Sequence, residues 1–417
     1  MIGPTSKEMI ASMLSVEAAL REILDRSAPL PAESVPLSVS ALGRVLAEEV
    51  SADLDMPPLD RSVMDGYAVR RADCQEVGVS LLVVEEITAG RIPTKPIEAG
   101  QASRIMTGAP IPEGADAVVV VEKTRADGTD RVEILDTPKP EQHILRRGKE
   151  MRVGDILLSP GCVLRPQEIG ILATAGKSNV RLVQLPRVAI LATGDELIEA
   201  SETPGPGQIR NSNAPMLEAQ ALRAGGLPRR LGIGRDDMDS LLSLIEEGLE
   251  TSHVLILSGG VSAGTRDLVP QALAAAGVTA HFHKIRFKPG KPLLFGTADR
   301  AGERRLVFGL PGNPISSFVC FEVFLRPALR RLAGHADLDL PEVSATLARE
   351  AHFQNDRPTY HPARLRKSPT GWDVEPIEWV GSSDLRAFLK ADALLRLPPG
   401  EVRYPAGHRV DVLRLDG

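Results

Sequence analysis

Between Ser258 and Pro314 three turns marked by glycine and proline, SGGVSAGTRD, KPGKP and LPGNP, each stand beside an apolar run. The first follows VLIL (Val254–Leu257) and the third follows LVFGL (Leu306–Leu310). An apolar strand that runs into a glycine-rich turn offers main-chain N–H groups to phosphate at the carboxyl edge of an α/β sheet. Ser258, Gly259, Gly260, Ser262 and Gly264 have the small size that lets a ligand approach the backbone closely. Interleaved with them are one carboxylate, Asp267, and three ammoniums, Lys284, Lys288 and Lys291. Such a set holds an anion and a divalent cation together, which is the chemistry of a phosphorylated small molecule. A tight strand-to-helix connection without a ligand is the alternative for the first turn taken alone. It is not a P-loop, because the G-x-x-x-x-G-K-[ST] spacing is absent.

The remaining polar residues extend this pattern. In a strand, Lys284, Arg286 and Lys288 share one face, where like charges repel unless an anion or solvent neutralises them. An exposed basic edge that discourages aggregation is the competing reading. Asp195, Glu196, Asp236 and Asp267 all fall just beyond expected strand ends. Magnesium prefers oxygen ligands and retains water, so Glu196, Asp236 and Asp267 suffice as a metal-binding set. Asp195 is read as structural, since a single Asp after a strand commonly caps a helix. Earlier in the chain, LDRSVMDGYAV sets Asp60, Asp65 and Gly66 in an Asp-Gly turn, and RIMTGAPIPEGADAVV carries Thr107. Either segment also reads as a plain turn with a capping side chain.

These residues need a frame. Helical spacing runs from Met9 to Ser27 with Ser15 as N-cap, and SALGRVLAEEV from Ser40 reads as a second helix. Short β-like runs separated by turns (SLLVVEEI, ADAVVVVEKT, RVEIL) form a β-rich insert. From Pro186 apolar strands alternate with helices, the pattern of a parallel α/β sheet covered on both faces. The residues after Leu340 read as a small terminal β domain.

Composition narrows the function. The chain has 417 residues, too many for one ordinary core. Its net charge of -6 and its 3% aromatic content argue against a general nucleic-acid partner. No apolar run reaches the roughly 18–20 residues that span a bilayer. The N-terminus shows no signal-peptide pattern, and the three cysteines form no C-x-x-C, so a cytoplasmic protein without disulfides is expected. Cys320 lies in SFVCFEVFL and reads as core.

Taken in order, LDRSVMDGYAV, RIMTGAPIPEGADAVV, RRGKEM, ATGDEL, SGGVSAGTRD, FKPGKPLLFG and GLPGNPISS resemble the molybdopterin molybdenumtransferases and the related domain of gephyrin, over about residues 9–400. The resemblance implies an α/β multidomain protein. Its parts are a discontinuous linker and dimerisation domain (1–52 and 146–184), a β-rich insert (53–145), an α/β molybdopterin-binding domain (185–335) and a C-terminal β domain (340–417). It implies a reaction in which adenylylated molybdopterin is hydrolysed with a divalent cation such as Mg2+, AMP leaves, and molybdate is placed on the dithiolene. By position, Asp65 and Thr107 match groups that enter the cleft from the partner subunit of a homodimer. Glu196, Asp236 and Asp267 match the acidic cluster, and Lys284, Lys288 and Lys291 the basic one. Ser258, Gly259, Gly260, Ser262 and Gly264 match the pterin-phosphate loop, and Pro311, Gly312, Asn313 and Pro314 the turn that shapes the cleft. Ser382 falls in the terminal turn of the site. Contact with the molybdopterin adenylyltransferase is a further implied partnership. Departures are Lys149-Glu150 where the family usually has Glu-Asp, with Glu150 as the replacement carboxylate. His361 stands where an arginine is frequent, with Arg364 or Arg386 as substitutes, and Gly381-Ser382-Ser383 replaces Gly-Ser-Gly. A cofactor carrier or scaffold, an inactive paralogue and a molybdopterin adenylyltransferase are the alternatives.

Overall fold

The computed structural model describes residues 13–261 and 268–415. Its centre is a six-stranded sheet in the order Leu227–Gly234, Arg187–Thr193, Val254–Ser258, Glu303–Leu310, Leu294–Arg300, Thr279–His283. The first four strands are parallel, as expected from their alternation with helices. The fifth, Leu294–Arg300, runs antiparallel to both its neighbours, so the sheet is mixed rather than wholly parallel. The cause is local. Ala301 (φ 51°) and Gly302 (φ 79°) make a two-residue turn between Arg300 and Glu303, and only antiparallel strands are joined so tightly.

Alternate residues of the central strands feed two cores. Ile190, Ile256 and Phe308 pack on one face with Leu217, Phe321 and Phe324. Leu191, Leu255 and Val307 pack on the other with Leu241, Ile245 and Leu249. Both faces are covered, which is why these strands read as continuous apolar runs. The expected long helix after LPGNP is present in three pieces: Pro314–Cys320, a π turn over Phe321–Leu325, and Arg326–Leu332. Pro327 supplies no N–H to the preceding turn, and a widened turn accommodates that loss. Cys320 is fully buried, as expected.

The N-terminal helix spans Val16–Leu24, and Ser15 Oγ caps it by accepting from Ala18 N at 3.1 Å. Its Val16, Ala19 and Ile23 join the α/β core. The helix expected from Ser40 does not form. Only a 3-10 turn, Val39–Ala41, appears, because a later connecting segment claims the backbone: Gly43 N donates to Leu164 O and Leu46 N to Cys162 O. Ala32–Pro36 pairs antiparallel with Asn179–Val183, and between them Met56 N donates to Met151 O at 2.7 Å. The chain between those methionines contains the expected β-rich insert, a six-stranded sheet ordered Ala117–Val120, Gly66–Val69, Gln101–Ile105, Val79–Ile87, Arg131–Ile134, Thr124–Asp127. The terminal segment is a closed five-stranded barrel around Ala363, Val374, Leu395 and Val412. No helix among the described residues is long and apolar enough to cross a membrane.

Candidate active site at the carboxyl edge of the sheet

The parallel strands Arg187–Thr193 and Val254–Ser258 end beside a cavity of about 310 Å³. Thr193, Glu196, Asn213, Ser258, Gly259 and Gly312–Pro314 are among its lining residues. The strands that lead to it end on Thr193, Ser258 and Leu310. Gly259 has φ 101°, and a Cβ built there would lie 2.4 Å from Thr193 O, so the two strand ends can close only with glycine at this position. Glu196 folds back on its own turn. Its carboxylate lies where a side chain on Gly194 (φ 142°) would project.

Asn213, buried at the start of the helix Asn213–Arg223, was not singled out from the sequence. Its Nδ2 donates to Ser258 Oγ at 2.8 Å and to Gly312 O at 2.7 Å, so one amide joins the first and third turns. The available signal was the polar run Asn211-Ser212-Asn213 directly before a helical repeat. The third turn is in turn fastened to the terminal domain. Asn313 Nδ2 donates to Ser382 Oγ at 2.9 Å, and Ile315 N donates to Ser382 O. The hydroxyl of Ser317 donates to Pro311 O and stiffens the same turn.

The loop that carries Asp236 is tied to the residue before Glu196. Asp236 N donates to Asp195 Oδ1 at 3.1 Å, and Arg235 reaches the carbonyls of Asp195 and Leu197. Asp195 thus holds a loop amide and does not cap a helix. Ser262, Gly264 and Asp267 lie outside the described residues. Among the described residues no three His, Cys, Asp or Glu side chains gather as a metal site.

The expected common face for Lys284, Arg286 and Lys288 is not formed. The strand stops at His283, and Lys284 takes φ 83°, which turns the chain. Ile285 N then donates to Lys291 O, Arg286 N to Leu14 O, and Lys288 N to Pro358 O. The KPGKP turn is therefore wedged between the N-terminal segment and the terminal barrel, and Lys288 pairs with Thr359. Lys284, Lys288 and Lys291 are half-buried. Their ammoniums have no hydrogen bond or ion pair among the described residues.

Two further groups of residues lie in and beside the insert. Asp65 Oδ1 accepts from Thr107 N and Thr107 Oγ1. The main-chain bond first, and the hydroxyl second, hold the Asp65 carboxyl below its usual range. Glu150 forms an ion pair with Arg61 at 2.7 Å, while Arg146 and Arg147 are held by Asp60 and Asp55. Neither Asp65 nor Glu150 lines the 310 Å³ cavity.

Three family descriptions match in succession: "MoeA N-terminal region (domain I and II)" over residues 14–176, "Probable molybdopterin binding domain" over 189–331, and "MoeA C-terminal region (domain IV)" over 344–415. A molybdopterin molybdenumtransferase of Staphylococcus aureus is 33% identical over 410 residues, covering 96% of this chain and 95% of its own. The chain belongs to the molybdopterin molybdenumtransferase family. A second member of that family, from Staphylococcus epidermidis, is 33% identical over 404 residues, covering 96% of this chain and 95% of its own. A molybdopterin biosynthesis MoeA protein from Pyrococcus horikoshii has a solved structure that superposes with a TM-score of 0.82 at 29% identity, covering 97% of this chain and all of the other. The multidomain fold of the molybdopterin molybdenumtransferase family, with its α/β sheet and small terminal β domain, is thus present here.

Proposed function

We propose that this chain is a molybdopterin molybdenumtransferase that inserts molybdenum into molybdopterin, acting on the adenylylated form, cleaving its phosphoanhydride and releasing AMP. The observation that carries the reading is the 310 Å³ cavity where the Ser258–Gly259 and Gly312–Pro314 turns converge on the Glu196 carboxylate. Small residues there admit a phosphate to the backbone, and a carboxylate beside it can orient and deprotonate an attacking water. Water adds to phosphorus, the bridging P–O bond breaks, and AMP and the pterin phosphate separate.

Glu196 and Asp236, together with Asp267, offer hard oxygen donors of the kind magnesium takes. When bound, the ion supplies positive charge against the phosphoanhydride oxygens. Lys284, Lys288 and Lys291 hold the anionic end of the substrate and molybdate itself. Asn213 keeps the two phosphate-facing turns in register. Asp65 and Thr107 are assigned to the cleft of a second copy of the chain in a homodimer, and Glu150 to the support of that loop through Arg61. Transient contact with the adenylyltransferase that makes the substrate belongs to the same reading. So does a division into 1–52 with 146–184, 53–145, 185–335 and 340–417.

The test is AMP release from adenylylated molybdopterin with magnesium, with and without molybdate. Molybdate-dependent release with a metal-loaded product is expected. Binding without either product would identify a carrier or an inactive relative.

A further inference from the structure

One row of residues runs side by side across the carboxyl edge of the central sheet: Leu257 pairs with Gly309, Gly309 with Leu294, and Leu294 with His283. Side chains directly opposite in a ladder stand on the same face, so the row has a gap at Gly309. Val261 fills it from the first turn. A Cβ built on Gly309 would lie 2.7 Å from Val261 Cγ1 and 3.2 Å from Leu294 Cβ. Val261 is 1% exposed and shares a core with Leu257 and Leu294. The chain that leaves Gly259 and Gly260 is therefore seated on the neighbouring strand by one valine.

His283 closes the row. Its Nε2 lies 2.8 Å from Val261 O. A carbonyl oxygen only accepts, so Nε2 carries the proton, and it does so whether the ring is neutral or charged. The strand Thr279–His283 lies at the sheet edge, with Leu294–Arg300 and Glu303–Leu310 between it and the strand that feeds the first turn. Ladder pairing joins only adjacent strands, about 4.8 Å apart. The imidazole supplies a tie beyond that reach. The next residue is Lys284, whose N–H donates to Leu293 O at 2.9 Å while φ stands at 83°. One residue thus holds the phosphate-facing turn, and its successor begins the lysine turn.

We propose that His283 is a positioning residue of this site, which anchors Val261 and so holds the first turn at a fixed spacing from the lysine turn. The assignment rests on the transferase reading above and adds to it what sets the distance between its two anion-holding elements. Asn213 ties the first turn to the third, and His283 ties it to the second. Consecutive glycines lose the most backbone freedom on ordering, so an anchor directly after Gly259 and Gly260 acts where order is most costly. A turn held in place beforehand leaves less for the ligand to order. The lysine turn has its own main-chain bonds, from Lys284 N to Leu293 O and from Ile285 N to Lys291 O. Loss of the imidazole should therefore act on the first turn and spare the lysines.

The probes are AMP with magnesium, which brings a phosphate to the first turn, and molybdate, which reports on the lysine turn. Each is titrated into the full chain by calorimetry, beside a denaturation midpoint. His283→Phe keeps a ring and removes the donor. It should weaken AMP about tenfold and leave molybdate affinity unchanged. His283→Gln, whose Nε2 amide can donate to the same carbonyl, should restore most of the loss. A packing role alone would lower the midpoint without separating AMP from molybdate. Nitrogen NMR of the histidine rings in the unaltered chain decides the matter even if His283→Phe fails to fold. The signals that vanish in His283→Gln should show a protonated Nε2.

A bare Nε2 overturns the proposal. So does an unaltered chain that fails to bind either probe, an unchanged AMP affinity in His283→Phe, a parallel loss of molybdate, or no recovery in His283→Gln. Molybdate-dependent AMP release by the unaltered chain is measured in parallel. Its success with a His283-independent AMP affinity sinks only this inference, and its failure with a His283-dependent one sinks only the transferase reading.

Discussion

Asp65 and Thr107, 42 residues apart, meet through a single carboxylate oxygen: Asp65 Oδ1 accepts the main-chain N–H at 2.7 Å and the hydroxyl at 2.8 Å. The carboxylate is thereby oriented, with Oδ2 left for another partner. Asp65→Asn keeps an oxygen for Thr107 but loses the charge. AMP release should fall by about 10²-fold or more with little change in melting temperature, since the loop is exposed. Thr107→Val removes one of the two bonds that depress the Asp65 pKa. An acidic limb of the rate profile that belongs to Asp65 should then move to higher pH.

The lysine turn offers a separable prediction. Lys284 and Lys288 have no carboxylate partner among the described residues, so replacing either with alanine breaks no ion pair there. The cost should appear in substrate or molybdate affinity, on the order of tenfold each, and lessen as salt is raised. Initial-rate kinetics across molybdate concentration and ionic strength would check this. A loss confined to turnover at saturation would assign these lysines to the chemical step instead.

Gly259→Ala should damage both fold and site. The new methyl group meets Thr193 O while φ stays at 101°. A cost of about 2–4 kcal/mol is expected from strain and overpacking. Denaturant unfolding measures that loss, and AMP release should fall even where the variant remains folded.

Stability should also depend on pH through His253. This side chain is 4% exposed, and its Nδ1 accepts from Arg187 N at 3.0 Å, which requires the neutral ring. Burial, helped by Arg187 and Arg305 and opposed by Glu303, brings its pKa down to about 4 from 6.5. Between those values the unfolded chain binds the proton and the folded chain does not. The contribution is therefore fully present above about pH 6.5 and is lost as the pH falls towards 4. His253→Asn keeps an acceptor but cannot titrate, so the slope of unfolding free energy with pH in this window should fall by up to ~1.4 kcal/mol per pH unit. Urea titrations at pH 4.5, 5.5 and 6.5 would show it. His335, also brought down to about 4 chiefly by burial, contributes to the slope that remains.

Glu322 is 1% exposed on the π turn and receives Gln220 Nε2 and the Arg223 guanidinium. Arg223 also donates to Leu415 O, tying the terminal barrel to the α/β body. Arg223→Ala leaves a buried carboxylate without its cation, a loss of about 3–5 kcal/mol. Glu322→Gln with Arg223→Met should recover part of it, measured as denaturation midpoints.

What the sequence could and could not announce follows from the range of the interactions. VLIL, LVFGL and the Gly225 stop after Asn213–Arg223 are local signals, and the structure repeats them. The Ser40 segment carries helical spacing, yet partners more than a hundred residues away take its N–H groups. The lysine face failed because one positive φ at Lys284 undoes the two-residue period. The Ala301-Gly302 turn forces Leu294–Arg300 against the direction of the other strands, a reversal that the strand–helix alternation does not signal. Asn213 joins Ser258 and Gly312 only in three dimensions, so spacing alone gave it no distinction from an ordinary helix start.

The ladder between Ala32–Pro36 and Asn179–Val183 has a consequence for biogenesis. During synthesis at about 5–20 residues per second, the first strand emerges roughly seven to thirty seconds before its partner. Throughout that interval it is an unpaired edge, while the sheet of the insert, whose strands lie wholly within the intervening sequence, can already close. Nascent chains paused between Asp136 and Ser178 should therefore be protease-resistant in the insert and still sensitive before Met56. Synonymous codons that slow this stretch would lengthen the exposure without changing one residue of the finished enzyme.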